Sequence, residues 1–459
     1  MLANRLAAAC VVAMASFACV VPAQAQEKKT NVLLILADDL GYADVGFNGR
    51  KEWTTENLDR LASEGTIFHR WYTASVVCAP SRAALMTGRY GIHNGVTGNS
   101  SLDLPAEEIT IAEALKAHGY KTGLFGKWHH GAPRPEAKSY THPMDQGFDE
   151  FYGFTSATDA WQKFPKKLFD GREEKETNGG FADTLFTDHA IDFVTRHKDE
   201  PFFCYLPVTT SHGLQEAPQE DIARFKGKFP EKDQSKPIRA TYAAMIYRMD
   251  QNIGRLMKTL DDLKLRDNTL VIFTSDHGAT FEKMQQGATN YFDSNRPFRG
   301  QKRTLWEGGV RVPGIVRWPA GKVPAGKTSE EVTDMIDLFP TILAAVGAEP
   351  PASGNKIDGM NVLDVWRGTA KSPQRTLFWE WREGGDTQLA AMRGDLKVVI
   401  NGGNNPEVYN VVVDPGERRT LHAEFQQEMK SMVAEVNAWI GTESDAAKMR
   451  RKKGENASE

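Results

Sequence analysis

Four apolar runs in this sequence end in side chains able to do chemistry. Val32–Leu36 is followed by Asp38 and Asp39, and Thr122–Phe125 leads into Gly126, Lys127, Trp128, His129 and His130. Phe202–Leu206 leads to Ser211 and His212, and Leu270–Phe273 to Asp276 and His277. Each run reads as a short buried strand, and in open α/β sheets ligands collect outside the carboxyl ends of the strands. A single Asp there is as readily a cap, and a single His as readily a core residue. Four strands delivering Asp, Lys and His to one edge make a site. Asp38, Asp39 and Asp276 would repel one another without a cation among them. Three carboxylates with an imidazole form a hard divalent centre, Ca²⁺ or Mg²⁺ by ligand type. Arg82, Lys127, His129, His212 and Lys302 supply positive charge. A cation surrounded by basic groups suits a tetrahedral oxyanion, and sulfate and phosphate esters both qualify.

The elements that must carry these residues alternate. Asn57–Glu64 and Thr110–His118 have helical spacing and stop at Gly65 and Gly119. Asp183–His197 and Ile238–Leu263 are longer helices, and Val332–Val346 reads as a helix that Pro340 kinks or splits. Strands alternating with helices predict an α/β fold, with a mostly parallel central sheet flanked by helices. After about residue 370 the pattern changes. Leu377–Trp379, Leu389–Arg393, Leu396–Ile400 and Val408–Val413 are short strands separated by Gly, Asn and Asp, and Thr420–Ile440 is one amphipathic helix. The expected organisation is a catalytic domain over 26–370, a smaller subdomain with an antiparallel sheet and a helix over 371–442, and a disordered basic tail over 443–459.

The 459 residues carry a net charge of −4, which excludes a bulk electrostatic fit to nucleic acid or an anionic membrane surface. The first 25 residues form a signal-peptide pattern: Arg5, the apolar run Leu6–Val21, and the cleavage motif Ala23-Gln24-Ala25. The mature chain is therefore expected to start at Gln26 and to be periplasmic or secreted. No later run approaches the ~18 apolar residues of a membrane span. Cleavage leaves two cysteines, Cys78 and Cys204, too few for a disulfide scaffold.

Cys78-Ala79-Pro80-Ser81-Arg82 reads as a turn entering a helix, with Pro80 suited to an early helical position. Negative charge is stabilised at that end of a helix, so Cys78 is either a thiolate nucleophile or a buried spacer. Cys-x-Pro-Ser-Arg followed by Thr87-Gly88-Arg89 resembles the signature of the type I, formylglycine-dependent sulfatases, arylsulfatase-like members of the alkaline phosphatase superfamily. Further stretches resemble the same family, in family order from residue 31 to about 420. They are Ala37–Gly41, Gly126–His129, Ser211-His212, Thr274–Gly278, Gly300–Lys302, Glu307–Pro313, Val408–Asn410 and Asp414–Glu417.

That resemblance implies a mechanism. The signature Cys is oxidised to formylglycine by a formylglycine-generating or other maturation enzyme, and the aldehyde hydrates to a gem-diol. One diol oxygen attacks sulfur and displaces the alcohol; the other hydroxyl then expels sulfate. By position, Cys78 would be the nucleophile precursor and Arg82 would hold the hydrate. Asp38, Asp39, Asp276 and His277 would bind the metal together with residue 78. Lys127 and Lys302 would grip the sulfate oxygens, His129 would orient or deprotonate the diol, and His212 would be the proton donor on the leaving-group side. Many relatives carry Asn where this chain has His277; Ca²⁺ stays the first choice and Mg²⁺ the second. His130 is read as a substrate-pocket or surface residue. The segments Tyr152–Thr177 and Phe378–Asp386 mix Trp, Phe, Arg and Lys, which suits a sulfated carbohydrate. The alternative is a phosphomonoesterase or phosphodiesterase of the same superfamily, with an unmodified nucleophile and two metals.

Overall fold

A computed structural model describes residues 29–99, 103–131, 141–351, 355–383, 386–402 and 405–456. The expected signal peptide, 1–25, lies outside them. The centre of the molecule is a ten-stranded sheet in the order Lys327–Ser329, Thr66–Phe68, Gly314–Arg317, Thr269–Ser275, Asn31–Asp38, Phe202–Ser211, Lys121–Lys127, Glu150–Phe154, Lys167–Asp170 and Glu173–Glu176. The five strands from Thr269–Ser275 to Glu150–Phe154 run parallel. The antiparallel pairings lie outside this block.

Alternate residues of a strand face opposite sides, and each side of this sheet is covered by helices. Leu33, Ile35, Cys204, Leu206 and Phe273 pack under Ala182–Arg196 and Ile238–Asp262, through Phe186, Phe193, Met249 and Ile253. Val32, Leu34, Leu36, Phe203, Tyr205 and Ile272 pack under Cys78–Thr87, Ile111–Ala117 and Leu338–Val346. The continuous apolar runs in the sequence are thus strands buried on both faces. Thr110 caps its helix with a full capping box: Thr110 Oγ1 accepts from Glu113 N, and the Glu113 carboxylate accepts from Thr110 N.

Val332–Val346 differs from the single kinked helix expected. It forms a two-residue strand, Thr333–Asp334, one 3₁₀ turn and then the helix Leu338–Val346. Asp334 caps the turn through Ile336 N. Pro340 falls in the first turn of the helix, where its missing N–H costs nothing.

The C-terminal part is a four-stranded antiparallel sheet, Thr376–Glu383, Asp386–Arg393, Leu396–Asn401 and Glu407–Asn410. The helix Gln426–Gly441 covers it through Met429, Met432 and Val436. The last strand stops at Asn410, short of the expected Val413, because the Asn410 side-chain oxygen accepts from Val412 N and Val413 N and closes a turn. The expected strand Leu377–Trp379 extends to Glu383, into the segment expected to meet substrate, and Trp379 is fully buried with its indole N–H on Thr73 O at 2.6 Å. Where a disordered tail is expected over 443–459, the chain forms a helix, Asp445–Asn456. Ser444 Oγ caps it by accepting from Ala447 N, and Ala447 is buried. Among the described residues no helix is long and apolar enough to cross a membrane.

Candidate active site

Strand register gathers the acidic groups. Asp38 pairs with Ser211, and Ala37 with Ser275, so His212 and Asp276 leave their strands level with Asp38. Main-chain bonds lock the three ends together: His212 N to Asp38 O at 3.1 Å and Asp276 N to Ala37 O at 3.0 Å. Asp39 N donates to Asp276 Oδ1 at 3.1 Å. Asp39 takes a left-handed conformation, φ 59°, which Asp tolerates better than most residues.

Cys78 is the first residue of the helix Cys78–Thr87, which ends at Gly88 with φ 68°. Arg82 lies one turn later on the same face. Its guanidinium donates twice to Asp276 Oδ2, at 3.1 and 2.9 Å, once to Lys127 O at 3.2 Å, and lies 3.2 Å from Asp38 Oδ1. Cys78 Sγ is 3.2 Å from His277 Nε2 and 3.7 Å from Asp38 Oδ1. Lys127 Nζ donates to Asp38 Oδ2 at 2.7 Å, and Lys302 Nζ to both oxygens of Asp39 at 3.0 Å. His212 stands between the two aspartates, Nδ1 3.3 Å from Asp38 Oδ2 and Nε2 3.8 Å from Asp39 Oδ2. His129 is buried beside Lys127, and among the described residues neither of its ring nitrogens has a hydrogen-bond partner. All ten residues singled out for catalysis or metal binding are buried. Nine of them join in one web of polar contacts. His130 is buried too, edge-on to Trp128 at 5.0 Å, which removes the surface reading given to it above.

Charge settles unevenly across this web. Burial opposes ionisation of Asp38, but Lys127, His212 and Arg82 hold it well below the usual carboxylate range. Burial pushes Asp39 up, and Asp276 up to about 6. Burial also disfavours the Cys78 thiolate, yet Lys127 and Lys302 bring the thiol down to about 5. His277 moves up to about 9: burial works against its cation, and Asp276, Cys78 and Asp39 outweigh it. Burial, reinforced by Lys127 and Arg82, keeps His129 well below its ordinary value.

The donor set fits a metal ion. One ligand atom each from Asp39, Cys78 and His277 lie within 4.8 Å of one another, as do those of Asp38, Cys78 and Asp276. His277 Nδ1 lies 3.0 Å from Gly278 O. Donating there fixes the tautomer that leaves Nε2 free as a ligand. A cation bound there would offset the burial that raises Asp39 and Asp276.

The loop carrying Lys302 is stitched to this site from behind. Lys302 N donates to Ala279 O, Arg303 N to Val76 O and Gly278 N to Gly309 O. Further back lies a buried ionic cluster. Lys397 Nζ, from the C-terminal sheet, is 2.9 Å from Glu307 Oε1 and 3.2 Å from Glu417 Oε1, with all three side chains fully buried. Tyr72 donates to Glu307 Oε2 at 2.9 Å, and Glu307 N to Glu417 Oε2 at 2.7 Å.

A family model described as Sulfatase matches residues 30–348. The chain belongs to the sulfatase family. It is a sulfuric ester hydrolase, and its relatives span most of it. The N-acetylgalactosamine-6-sulfatase of Canis lupus familiaris is 32% identical over 396 residues, 80% of this chain and 71% of that protein. The steryl-sulfatase of Rattus norvegicus is 31% identical over 76% of this chain and 72% of its own. A solved structure described as Ps i-CgsB in complex with k-i-k-neocarrahexaose has a TM-score of 0.81 at 31% identity, covering 92% of this chain and 94% of that one. The phosphonate monoester hydrolase of Agrobacterium radiobacter, with a TM-score of 0.64 at 21% identity, covers 90% of this chain and 96% of its own and shares the fold.

Two lysines in this sulfatase escaped the sequence reading. Lys397 is the one charged residue of the strand Leu396–Asn401, and nothing beside it in sequence marks it as buried. Lys163 is buried with its ammonium on Thr209 O at 2.6 Å, and burial brings it down to about 8. In sequence it precedes Lys166 and Lys167 and looks like one of a solvated group.

Proposed function

We propose that this sulfatase hydrolyses sulfate monoesters of carbohydrates, with residue 78 as formylglycine and one hard divalent cation, Ca²⁺ before Mg²⁺, held by Asp38, Asp39, Asp276, His277 and residue 78. The observation that carries the reading is the single buried web in which Cys78 faces three carboxylates, two lysines and an arginine. Formylglycine supplies a hydrated aldehyde whose two hydroxyls serve attack on sulfur and then release of sulfate, and the cation supplies fixed charge to the reacting oxygens.

The remaining work falls to this chain's own side chains. Lys127 and Lys302 present ammonium groups to the equatorial sulfate oxygens and hold the negative charge these carry while the ester breaks. Neutral His129, with both ring nitrogens unpartnered among the described residues, accepts a proton from the hydrated aldehyde. His212 gives a proton to the departing alkoxide. Burial holds His212 below its ordinary value, against the pull of Asp39. A bound sulfate ester adds negative charge beside it and favours its protonated form.

The carbohydrate reading is supported by two relatives: one is an N-acetylgalactosamine-6-sulfatase, the other carries a neocarrahexaose. The signal-peptide pattern supports a periplasmic or secreted enzyme, reached by sulfated polysaccharides. A formylglycine-generating or maturation enzyme is the implied partner. The test is kcat/KM on sulfated mono- and oligosaccharides against nitrophenyl sulfate and nitrophenyl phosphate. The expected result is a preference for at least one sulfated sugar. A preference for the aryl sulfate over every sugar sinks the carbohydrate assignment, and faster cleavage of the phosphate sinks the sulfatase assignment.

A second expectation concerns the metal. Elemental analysis of active enzyme finds one divalent ion per chain. Asp39→Ala lowers kcat/KM by at least about a hundredfold, since the charge it contributes acts on the reacting oxygens. The thermal midpoint of the folded chain shifts little by comparison. Two ions per chain, or none in active enzyme, contradicts the assignment.

A further inference from the structure

Beside the turn that carries His212 the surface opens into a cleft of about 700 Å³, lined among others by Phe164, Gln215, Gln219, Lys226, Lys236 and Gln286. Its wall is bonded to the catalytic turn. Gln215 donates its amide N–H to Gly213 O at 3.3 Å and to the side-chain oxygen of Gln285, and Gln285 donates to Ser211 O at 3.1 Å. The two bonds hold the main chain on either side of His212.

Several features of the cleft point to a ligand. Gln215 is 8% exposed, and its Oε1 is buried without a hydrogen-bond partner among the described residues. Such acceptors are rare because leaving them unmet is costly. Lys226 and Lys236 are exposed on the lining and form no ion pair among the described residues. The Phe164 ring is 40% exposed, edge-on to Phe181 at 5.4 Å. A second depression of about 450 Å³ shares Phe164, Ala217 and Gln219 and extends to Arg248, so the groove continues past the aromatic ring. Amides for hydroxyl groups, an aromatic face for the apolar side of a ring, and exposed ammonium groups for anions form a set suited to a charged sugar.

We propose that this cleft is a subsite for the sugar next to the sulfated one, in an oligosaccharide whose second sulfate or carboxylate is held by Lys226 and Lys236. The inference rests on the carbohydrate reading above. With His212 facing the leaving oxygen, the sulfated ring lies by His212 and Trp161, whose rings are 6.4 Å apart. The neighbouring ring then passes Gln215 into the cleft, where the exposed amides of Gln219 and Gln286 meet its hydroxyls.

The test uses the full chain carrying Cys78→Ala, which binds without turnover, with chondroitin 6-sulfate and κ-carrageenan tetrasaccharides as probes in titration calorimetry. Adding Lys226→Ala and Lys236→Ala is expected to weaken the better-bound tetrasaccharide by about tenfold or more and to flatten the salt dependence of its binding, since the lost contacts are screened ion pairs. In the enzyme with residue 78 intact, the same pair of changes lowers kcat/KM on that tetrasaccharide at least tenfold more than on nitrophenyl sulfate. Affinity within twofold of the parent, or no binding of either tetrasaccharide to the parent, overturns the subsite. An enzyme that binds as expected yet cleaves no sulfate ester overturns the proposed function and leaves the subsite standing.

Discussion

Replacing Cys78 by alanine abolishes turnover and leaves the fold in place. The side chain is small and forms no disulfide. Its sulfur faces Asp38, His277 and the two site lysines rather than an apolar core. Removing it takes away a group whose partial negative charge crowds three carboxylates, so the thermal midpoint stays near that of the parent. Activity falls by a factor on the order of 10⁴–10⁶, the range seen when a covalent nucleophile is removed from an otherwise intact site. In active enzyme the peptide containing residue 78 is about 18 Da lighter than its unmodified form, the difference between a thiol-bearing carbon and an aldehyde. Cys78→Ser, which supplies one hydroxyl in place of two, supports at most a single turnover. Alanine at 78 with more than a few per cent of the parent's rate contradicts the chemistry assigned here, and so does active enzyme of unmodified mass.

Lys397→Met has the largest expected effect on stability. Its ammonium is the fully buried centre of a cluster that joins the C-terminal sheet to the catalytic part through Glu307 and Glu417. Methionine fills most of the space but leaves two carboxylates facing each other without their shared cation. Breaking a buried pair in this way costs about 3–5 kcal/mol. The deficit depends on pH. Burial already raises Glu417 from 4.5 to about 7, against the pull of Lys397, and without Lys397 it rises further. A carboxyl raised on folding binds more protons in the folded than in the unfolded chain, so stability falls as pH climbs from the unfolded value of about 4.5 through the folded one. Denaturant unfolding therefore shows a smaller loss at pH 5 than at pH 8. Adding Glu417→Gln to Lys397→Met recovers part of the loss at pH 8 by removing one of the opposed charges. A loss below about 1 kcal/mol at pH 8, or one independent of pH, shows that the cluster is not an ion pair in solution. The same variants report on function, because Glu307 ends the loop that brings Lys302 to Asp39.

The sequence by itself determined the chemistry-bearing strand ends and the family. Asp38, Lys127, His212 and Asp276 each follow a short apolar run, and a run of that kind has few places to be except the middle of a sheet. The Cys78–Arg82 motif is legible because it is local: one helical turn puts residues 78 and 82 on one face wherever that helix sits. The antiparallel C-terminal strands were legible from their turns for the same reason. What only the tertiary structure decided depends on contacts between distant segments. Asp38 meets Asp276 because of strand register, which alternation along either strand leaves open. Trp379 is tied into the core because Thr73, some three hundred residues earlier, accepts its indole N–H. The basic tail becomes a helix because Ser444 caps it and Ala447 finds cover, whereas charge composition alone favours solvent. Lys163 and Lys397 look like ordinary surface lysines. Their burial is set by partners 46 and 90 residues away, and no local pattern encodes a partner at that distance.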